Sequence, residues 1–358
     1  MKIDHVHFYV EDARATRDWF INYLNFEAVA GGISQIQTHT EVVRSGSVYF
    51  VLSSPLTQTD PVAQFLRQHP PGVADVALIV EDVEAIMHRA IAQGVKVLQP
   101  IQQSHQGEAC FKWGKIAAWG SLNHTLIQKS SHTQLTLPEL EFTPPLPLPP
   151  SPPPLITGID HLVLNVATGD LSSAVAWYED TLDFRSQQMF KIKTDYSALH
   201  SQVMISATGN IQLPINEPAS PNSQIQEFLD LNQGPGIQHI ALQTPNIVSA
   251  IAQLRSHGLP LLPISQSYYS QLQQRQGLPL SAVQLQAIAQ AEILVDWEET
   301  TPEALLLQIF SQPIFPLPTF FFEFIERRCQ ARGFGEGNFR ALFEAIEREQ
   351  QKRGSLNA

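Results

Sequence analysis

The sequence predicts an α+β fold in which one module, a strand followed by a helix and several further strands, occurs four times. Three observations support this prediction: an internal repeat, the alternation of apolar residues along the repeated segments, and the length of the chain. The 358 residues are enough for two domains that each bury their own core. We therefore expect two modules in each half.

The first pair of repeated segments begins each half. Residues 3–10 read IDHVHFYV, and residues 159–166 read IDHLVLNV. Aromatic and apolar residues follow with the same spacing in both halves, namely Trp19, Phe20, Leu24 and Phe26 in the first and Trp177, Tyr178, Leu182 and Phe184 in the second. This spacing places them on one face of a helix that runs into the next strand.

A second pair of segments begins at Gly72 and at Gly236. In each, an alternating strand leads to an amphipathic helix, and a glycine, Gly94 or Gly258, lies near the end of that helix. A short apolar strand follows. The two pairs together give four modules.

A proline-rich segment separates the two halves. Residues 138–154 contain nine prolines, a composition that favours an extended polyproline II conformation over helix or sheet. We predict an N-terminal domain over residues 1–133, a linker over 134–155 and a C-terminal domain over 156–358. The linker is interpreted as a spacer; a ligand for a proline-binding module is the alternative.

Composition excludes several classes of function. A formal net charge of −12 argues against nucleic acid or an anionic membrane as a partner. No apolar stretch is long enough to span a membrane, and the first residues lack the apolar region of a signal peptide. Two cysteines do not make a disulfide framework. We expect a cytoplasmic protein.

Two strand histidines and one carboxylate in the C-terminal half form a candidate metal site. His161 and His239 lie at equivalent places among apolar residues, where an imidazole needs a partner. Glu323 lies among phenylalanines in PTFFFEFIERR, so its charge needs a cation. Two histidines with one carboxylate are typical of Fe(II) oxygenases, although the ligand types also allow zinc. Hydrogen-bonded core histidines, and a salt bridge from Glu323 to Arg327 or Arg328, are the alternatives.

The N-terminal half lacks this set of ligands. His5 occupies the position of His161, but Asp75 occupies that of His239, and residues 122–128 offer no carboxylate in place of Glu323. We therefore predict that the N-terminal domain binds no metal, and that His5 and His7 are structural.

Several motifs in order resemble one family. They are GIDHLVLNV around His161, LPINEP at 213–218, SQIQEFL at 223–229, GPGIQHIAL at 234–242, ILVDWEE at 293–299, LLLQIFSQP at 305–313, FFFEFIERR at 320–328 and GFGEGNFRALFEAIE at 333–347. With them the chain resembles the 4-hydroxyphenylpyruvate dioxygenase family of the vicinal-oxygen-chelate superfamily, which has the glyoxalase/bleomycin-resistance-like fold. The resemblance covers essentially the whole chain.

The resemblance implies a fold, a cofactor and a reaction. The fold is four βαβββ modules in two open half-barrel domains, with one Fe(II) per chain held by His161, His239 and Glu323. The reaction converts 4-hydroxyphenylpyruvate and O2 to homogentisate and CO2 and moves the side chain on the ring. The resemblance also implies a homo-oligomer, dimer or tetramer. Its product would serve tyrosine catabolism, or tocopherol and plastoquinone biosynthesis.

The resemblance also carries over substrate-binding positions. The polar ones orient the substrate or support the metal ligands, and they are Ser201, Asn216, Gln224, Gln238, Gln308 and Asn338. Pro214 shapes the LPINEP segment. The aromatic wall is Phe310, Phe321, Phe334 and Phe339, for which plain core packing is the alternative.

The C-terminal segment is predicted to be a lid. Gly333, Gly335 and Gly337 would provide a flexible hinge. The helix that follows has Phe339, Leu342, Phe343 and Ile346 on one face. In the family this helix closes over the active site; a docked helix that does not move is the alternative.

Three other functions stay open at this point. Hydroxymandelate synthase shares fold, iron and substrate but hydroxylates the benzylic carbon; Pro214 and Phe310 favour the ring-hydroxylating enzyme. A non-catalytic binding protein on the same fold is disfavoured by the complete ligand set. An extradiol ring-cleaving dioxygenase is disfavoured because no additional catalytic histidine is evident.

Overall fold

The N-terminal half forms a mixed sheet from two modules. The structure is a computed structural model that describes residues 1–34, 37–106, 109–129, 153–275, 277–298 and 300–356. The first module contains β1 (Lys2–Tyr9), α1 (Ala13–Leu24), β2 (Glu27–Ile33), β3 (Thr38–Ser45) and β4 (Val48–Pro55). After α2 (Pro61–Leu66), the second contains β5 (Gly72–Ile79), α3 (Val83–Ala92), β6 (Val97–Gln106), β7 (Ala109–Ala117) and β8 (Asn123–Lys129).

The C-terminal half repeats this plan and adds helices. The third module contains β9 (Gly158–Asn165), α4 (Leu171–Leu182), β10 (Phe184–Lys193), β11 (Ala198–Ser206) and β12 (Gln212–Pro218). After α5 (Gln224–Asn232), the fourth contains β13 (Gly236–Gln243), α6 (Ile247–Ser256), α7 (Gln266–Gln274), α8 (Ala282–Gln290), β14 (Leu294–Trp297), β15 (Leu305–Phe310) and β16 (Phe321–Arg327). The chain ends in α9 (Phe339–Arg353).

The two sheets have the same strand order. Among the described residues each has eight strands, in the orders β2-β3-β4-β1-β5-β8-β7-β6 and β10-β11-β12-β9-β13-β16-β15-β14. In both, the first strands of the two modules, β1 with β5 and β9 with β13, pair antiparallel at the centre. The last strand of each module pairs parallel with the first. The predicted four βαβββ modules in two open half-barrel sheets are confirmed.

Local sequence explains where the module helices begin. The Asp12 carboxylate accepts hydrogen bonds from the backbone N–H groups of Arg14 and Ala15 at the start of α1. In the same way, the side chain of Asn246 caps α6 by accepting a hydrogen bond from the backbone N–H of Ser249. Such caps satisfy backbone donors that have no partner inside the helix, and so they fix the strand-to-helix turn.

Aromatic packing joins the two halves along β16. The rings of Phe8 and Phe320 have centroids 5.1 Å apart, and those of Phe20 and Phe322 are 5.9 Å apart. Because side chains alternate along a strand, this packing turns Phe321 and Glu323 to the other face of β16. The core contact between the halves therefore aims the carboxylate into the C-terminal half-barrel.

Most of the predicted linker over 134–155 lies outside the described residues, so the domain boundaries stay predictions. No described helix is both long and apolar enough to cross a membrane.

Candidate active site

Three neighbouring strands bring the predicted metal ligands together. His161 lies in β9, His239 in β13 and Glu323 in β16; Ala241 of β13 is paired with His161 on one side and with Glu323 on the other. The Nε2 atoms of His161 and His239 lie 3.3 Å and 3.6 Å from Oε2 of Glu323. Residues that are far apart in sequence thus meet because their strands are adjacent.

The donor set fits a divalent cation. Two ligand atoms at right angles, each about 2.1 Å from one ion, lie about 3.0 Å apart, close to the separations from Oε2 of Glu323. One ligand atom from each residue lies within 4.8 Å of the others, and no other set of three or more metal-binding side chains is found among the described residues. Three protein ligands would leave coordination positions of such a cation open to other ligands.

Electrostatics favours a cation at the same point. Burial by itself raises the pKa of Glu323, but the imidazoles of His161 and His239 outweigh it and lower that pKa to about 2. Burial by itself lowers the pKa of His161, but the carboxylates of Glu323 and Asp160 raise it to about 9. Burial lowers the pKa of His239, despite its hydrogen bond to Glu323. A buried carboxylate thus stays ionised beside two imidazoles, and a bound cation would take the place of the proton on His161, because a ligating histidine must be neutral.

Asp160 orients His161, a role that the sequence analysis missed. Its Oδ1 lies 2.9 Å from Nδ1 of His161, which leaves Nε2 turned towards Glu323. Arg327 donates to both oxygens of Asp160, each at 2.7 Å, and the side-chain amide of Gln243 donates to Oδ2. A carboxylate behind a ligating histidine fixes its ring and tautomer. The aspartate directly before the histidine, in the sequence IDH, was the signal from which this role could have been predicted.

Glu323 is held by a glutamine and not by arginine. Nε2 of Gln308 donates to Oε1 of Glu323 at 2.8 Å. Arg327 is bound to Asp160, and Arg328 to Glu326. The alternative of a salt bridge from Glu323 to one of these arginines is therefore not what the structure shows.

An open cavity of about 700 Å³ surrounds the three ligands. It is lined by every predicted substrate-binding side chain, namely Ser201, Pro214, Asn216, Gln224, Gln238, Gln308, Phe310, Phe321, Phe334, Asn338 and Phe339. The sequence analysis did not name the apolar residues Val163, Phe190, Ile192, Leu199, Val203 and Ile225, which also line it. Strand alternation could have pointed to several of these once the cavity face was known. The assignment of the predicted side chains to substrate binding stays a prediction.

A β-bulge places two consecutive residues of β13 in the cavity wall. The register of β13 against β9 shifts between Ile237 and His239, so Gln238 falls at the irregularity. Both Gln238 and His239 line the cavity. In a regular strand they would point to opposite faces, so the bulge adds a polar group beside the predicted metal ligand.

Aromatic rings flank the histidines. The ring of Phe321 stacks on that of His239, with centroids 4.8 Å apart and planes 18° apart. Phe334 approaches His161 edge-on at 5.2 Å, and Phe310 approaches His239 at 6.4 Å. These contacts hold the imidazoles in place and leave an apolar wall suited to a flat ring.

Helix α9 covers one side of the cavity. Its residues Phe339, Leu342, Phe343 and Ile346 are the predicted apolar face, and all four line the cavity. The helix is tied down at Glu347, whose carboxylate accepts hydrogen bonds from Thr194 and Ser197. The helix thus lines the cavity, while its role as a lid and its motion stay predictions.

The three predicted hinge glycines are packed closely. Gly333 and Gly335 have positive φ angles of 79° and 78°. A Cβ on Gly335 would lie 2.0 Å from Oε1 of Gln308, and one on Gly337 would lie 2.4 Å from Oδ1 of Asp296. Only Gly335 of the three lines the cavity. Glycine is therefore required at 335 and 337 for close approach, whether or not the segment moves.

Family models and curated relatives match both halves. Models of the glyoxalase/bleomycin resistance protein/dioxygenase superfamily match residues 158–274 and 4–111. The 4-hydroxyphenylpyruvate dioxygenases of Caenorhabditis briggsae and Yarrowia lipolytica are each 37% identical to the chain, over 99% of it and 93% of their own length.

Solved structures are similar over nearly the whole chain. A triple mutant of 4-hydroxymandelate synthase from Streptomyces coelicolor is 29% identical, with a TM-score of 0.86 over 98% of both chains. An Mn(II)-bound glyoxalase from Novosphingobium aromaticivorans is 12% identical, with a TM-score of 0.51 over 92% of this chain and 82% of its own, and that likeness shows the fold alone.

Proposed function

The chain belongs to the 4-hydroxyphenylpyruvate dioxygenase family, and from this premise we propose that it converts 4-hydroxyphenylpyruvate and O2 to homogentisate and CO2. The similarity of the chain to curated 4-hydroxyphenylpyruvate dioxygenases confirms the resemblance seen in the sequence. The observation that carries the proposal is the convergence of His161, His239 and Glu323 on one point inside a largely apolar cavity.

We propose Fe(II) as the cofactor, one ion per chain. When bound, iron would supply electrons to O2 and the free positions at which the 2-oxo acid group of the substrate binds. His161 would present Nε2 because Asp160 holds its Nδ1, and Glu323 would present Oε2 because Gln308 holds its Oε1. Zinc satisfies the same ligand types but has no redox chemistry, so it would not support turnover.

The cavity residues would hold the substrate ring and its phenol. The rings of Phe310, Phe321 and Phe334 form the apolar wall beside the metal ligands. Ser201 and Asn216 face each other across the β11–β12 pair and line the same cavity. Neutral amides and hydroxyls both donate and accept, which suits a phenol that stays protonated. We assign to Ser201, Asn216, Gln224 and Gln238 the orientation of the phenol end.

Helix α9 would exclude water during the reaction. Its apolar side chains line one side of the cavity. Exclusion of water protects reactive species formed from O2 and fixes the ring against the metal. This role requires only that the helix be closed during chemistry, so a slow opening for product release is compatible with it.

The test is anaerobic loading with Fe(II), followed by measurement of O2 uptake with 4-hydroxyphenylpyruvate and identification of the product by mass spectrometry. We expect one O2 consumed and one CO2 released for each homogentisate formed. Absence of O2 uptake by protein with iron bound would contradict the proposal and favour a binding protein on this fold.

Hydroxymandelate synthase is the second candidate because a synthase mutant has a closely similar structure. It is less supported, since identity to the dioxygenases is 35–37% against 29% to the synthase. Pro214 and Phe310, both in the cavity wall, are the residues that we expect to favour ring hydroxylation. Hydroxymandelate as the product would reassign the enzyme and keep the site.

The cytoplasmic location, the homo-oligomer and a role in tyrosine catabolism or in tocopherol and plastoquinone biosynthesis remain part of this proposal. They are supported by the acidic, cysteine-poor composition and by the family. Size-exclusion chromatography with light scattering would decide between dimer and tetramer.

A further inference from the structure

Four hydrogen-bonded side chains form a chain of hydrogen bonds from helix α7 to the predicted ligand Glu323. Tyr268 Oη donates to Oδ1 of Asn338 at 2.8 Å, and Nδ2 of Asn338 donates to Oε1 of Gln308 at 2.9 Å. Nε2 of Gln308 then donates to Oε1 of Glu323 at 2.8 Å. Every bond in this chain is directed towards the carboxylate. Gln308, Asn338 and Glu323 are each at most 3% exposed, so water does not replace these bonds.

The contacts of Tyr268 fit this direction of the hydrogen bonds. The backbone N–H of Val295 donates to Tyr268 Oη at 2.8 Å, which occupies one lone pair and leaves the hydroxyl hydrogen for an acceptor. This single hydrogen has two acceptors in range, and Oδ1 of Asn338 at 2.8 Å is nearer than the carbonyl of Val295 at 3.0 Å. Burial raises the pKa of Tyr268 well above its usual value, so the hydroxyl remains a donor at any working pH.

The side-chain amides of Asn338 and Gln308 cannot turn over without the loss of hydrogen bonds. If Asn338 turned over, its Oδ1 would face Oε1 of Gln308, and two acceptors would be opposed in a buried place. If Gln308 turned over in response, its Oε1 would face Oε1 of Glu323, and it would also lose its bond to the carbonyl of Phe334 at 3.1 Å. A hydroxyl donor at position 268 therefore favours the one arrangement in which Glu323 receives a hydrogen bond.

We propose that Tyr268 is a positioning residue that, through Asn338 and Gln308, keeps a donor on Oε1 of Glu323 and so reserves Oε2 for the metal. Tyr268 lies outside the residues that line the cavity around the ligands. Its neighbour Tyr269 is buried in the same helix, and its hydroxyl donates to the carbonyl of Ile293 at 3.1 Å, away from the site. The inference rests on the proposed metal site, and not on the identity of the substrate.

The experiment compares Tyr268→Phe with the matched control Tyr269→Phe. Each variant loses one buried hydroxyl from α7. We titrate metal-free protein with Co(II) and follow the visible ligand-field bands, which report the geometry of the carboxylate ligand. We expect Tyr268→Phe to bind Co(II) about tenfold more weakly with shifted bands, the usual size of effect for a group behind a ligand. Tyr269→Phe should keep the wild-type affinity and spectrum.

Wild-type affinity and bands in Tyr268→Phe would overturn the proposal, and so would an equal loss in both variants, which would point to the packing of α7. If Tyr268→Phe does not fold, Asn338→Asp serves instead, because a carboxylate at position 338 offers Gln308 no donor. This variant should weaken Co(II) binding by a similar factor. Unchanged Co(II) binding would overturn the proposal. Because these readouts need no substrate, a failure of the wild-type protein to make homogentisate would contradict the proposed function and leave this inference standing.

Discussion

The ammonium group of Lys115 lies 3.5 Å from Oδ2 of Asp75, at the place in the N-terminal sheet that corresponds to the proposed metal site of the C-terminal sheet. Strand register establishes the correspondence: Asp75 aligns with His239, Thr125 with Glu323, and Lys115 with Phe310. Thr125 donates to both oxygens of Asp75. Burial raises the pKa of Asp75, but Lys115 and Thr125 outweigh it and hold that pKa below its usual value. A lysine thus supplies the positive charge at this point.

We predict that Lys115→Met destabilises the protein, because it leaves the buried Asp75 carboxylate without its cation. The free energy of unfolding should fall by about 3 kcal/mol, which is usual when one partner of a buried ion pair is removed. Urea unfolding followed by circular dichroism measures it. Lys112→Met is the control, since the ion pair of Lys112 with Glu84 lies at the surface on the same strand and should change little. Equal stability of the two variants would show that Asp75 needs no cation.

A second prediction concerns the carboxylate ligand. Glu323→Gln should lower metal affinity by more than about 100-fold and abolish turnover, because the change removes a charged ligand and exceeds the loss usual for groups behind a ligand. Metal titration and thermal unfolding with and without Fe(II) measure this. Wild-type protein should gain stability on loading, whereas the variant should not. Glu326→Gln is the control: Glu326 is buried in the same strand but binds Ile247 and Arg328. Wild-type metal affinity in Glu323→Gln would mean that the ligand set is misassigned.

The polar end of the cavity gives a third prediction. Asn216→Ala and Gln238→Ala should each lower kcat/KM about tenfold or more and leave metal affinity unchanged, because each would remove a proposed hydrogen bond to substrate and leave its partner unpaired, at a cost of about 1.4 kcal/mol or more. Steady-state O2 uptake and a metal titration separate the two effects. Gln226→Ala, on α5 with its amide bound to Asp230, is the control. Loss of metal from the first two variants would instead give these residues a role in supporting the ligands.

A fourth prediction tests the role of the glycine segment. Gly335→Ala should weaken metal binding, because its Cβ would displace the Gln308 amide that holds Glu323. Gly354→Ala is a matched control, since Gly354 has nearly the same φ angle, 77° against 78°, and no atom within 4 Å of an added Cβ. Both variants place alanine at a positive φ angle, and only the first has the collision. If the two bind metal equally well, the close approach to Gln308 is unimportant.

A fifth prediction concerns inhibition. A triketone that mimics the chelating 2-oxo acid should compete with 4-hydroxyphenylpyruvate, because it offers the same pair of oxygens to the metal and a ring for the wall formed by Phe310, Phe321 and Phe334. Inhibition kinetics at varied substrate concentration measure it. The Glu323→Gln variant, tested for binding by calorimetry, should bind the triketone poorly. Failure to inhibit the wild-type enzyme at large excess would count against the assignment of the pocket.

The sequence by itself determined the repeated modules and the three candidate ligands. Histidines at equivalent places in two repeated strands, and a glutamate among phenylalanines, are local patterns that do not depend on distant contacts. The motif resemblance added the cavity residues in the same way. The missing ligands of the N-terminal half, Asp75 in place of a histidine and no carboxylate near 122–128, could also be seen without a structure.

Only the tertiary structure decided which groups support these residues. The pairing of β13 with both β9 and β16 sets the distances between the ligands, and the bulge at Gln238 depends on the register of two strands far apart in sequence. The lysine that faces Asp75 and the tyrosine behind Asn338 are likewise brought in by separate elements. Such partners carry no periodic signal, because a hydrogen bond across the fold constrains geometry in space and leaves the spacing along the chain free.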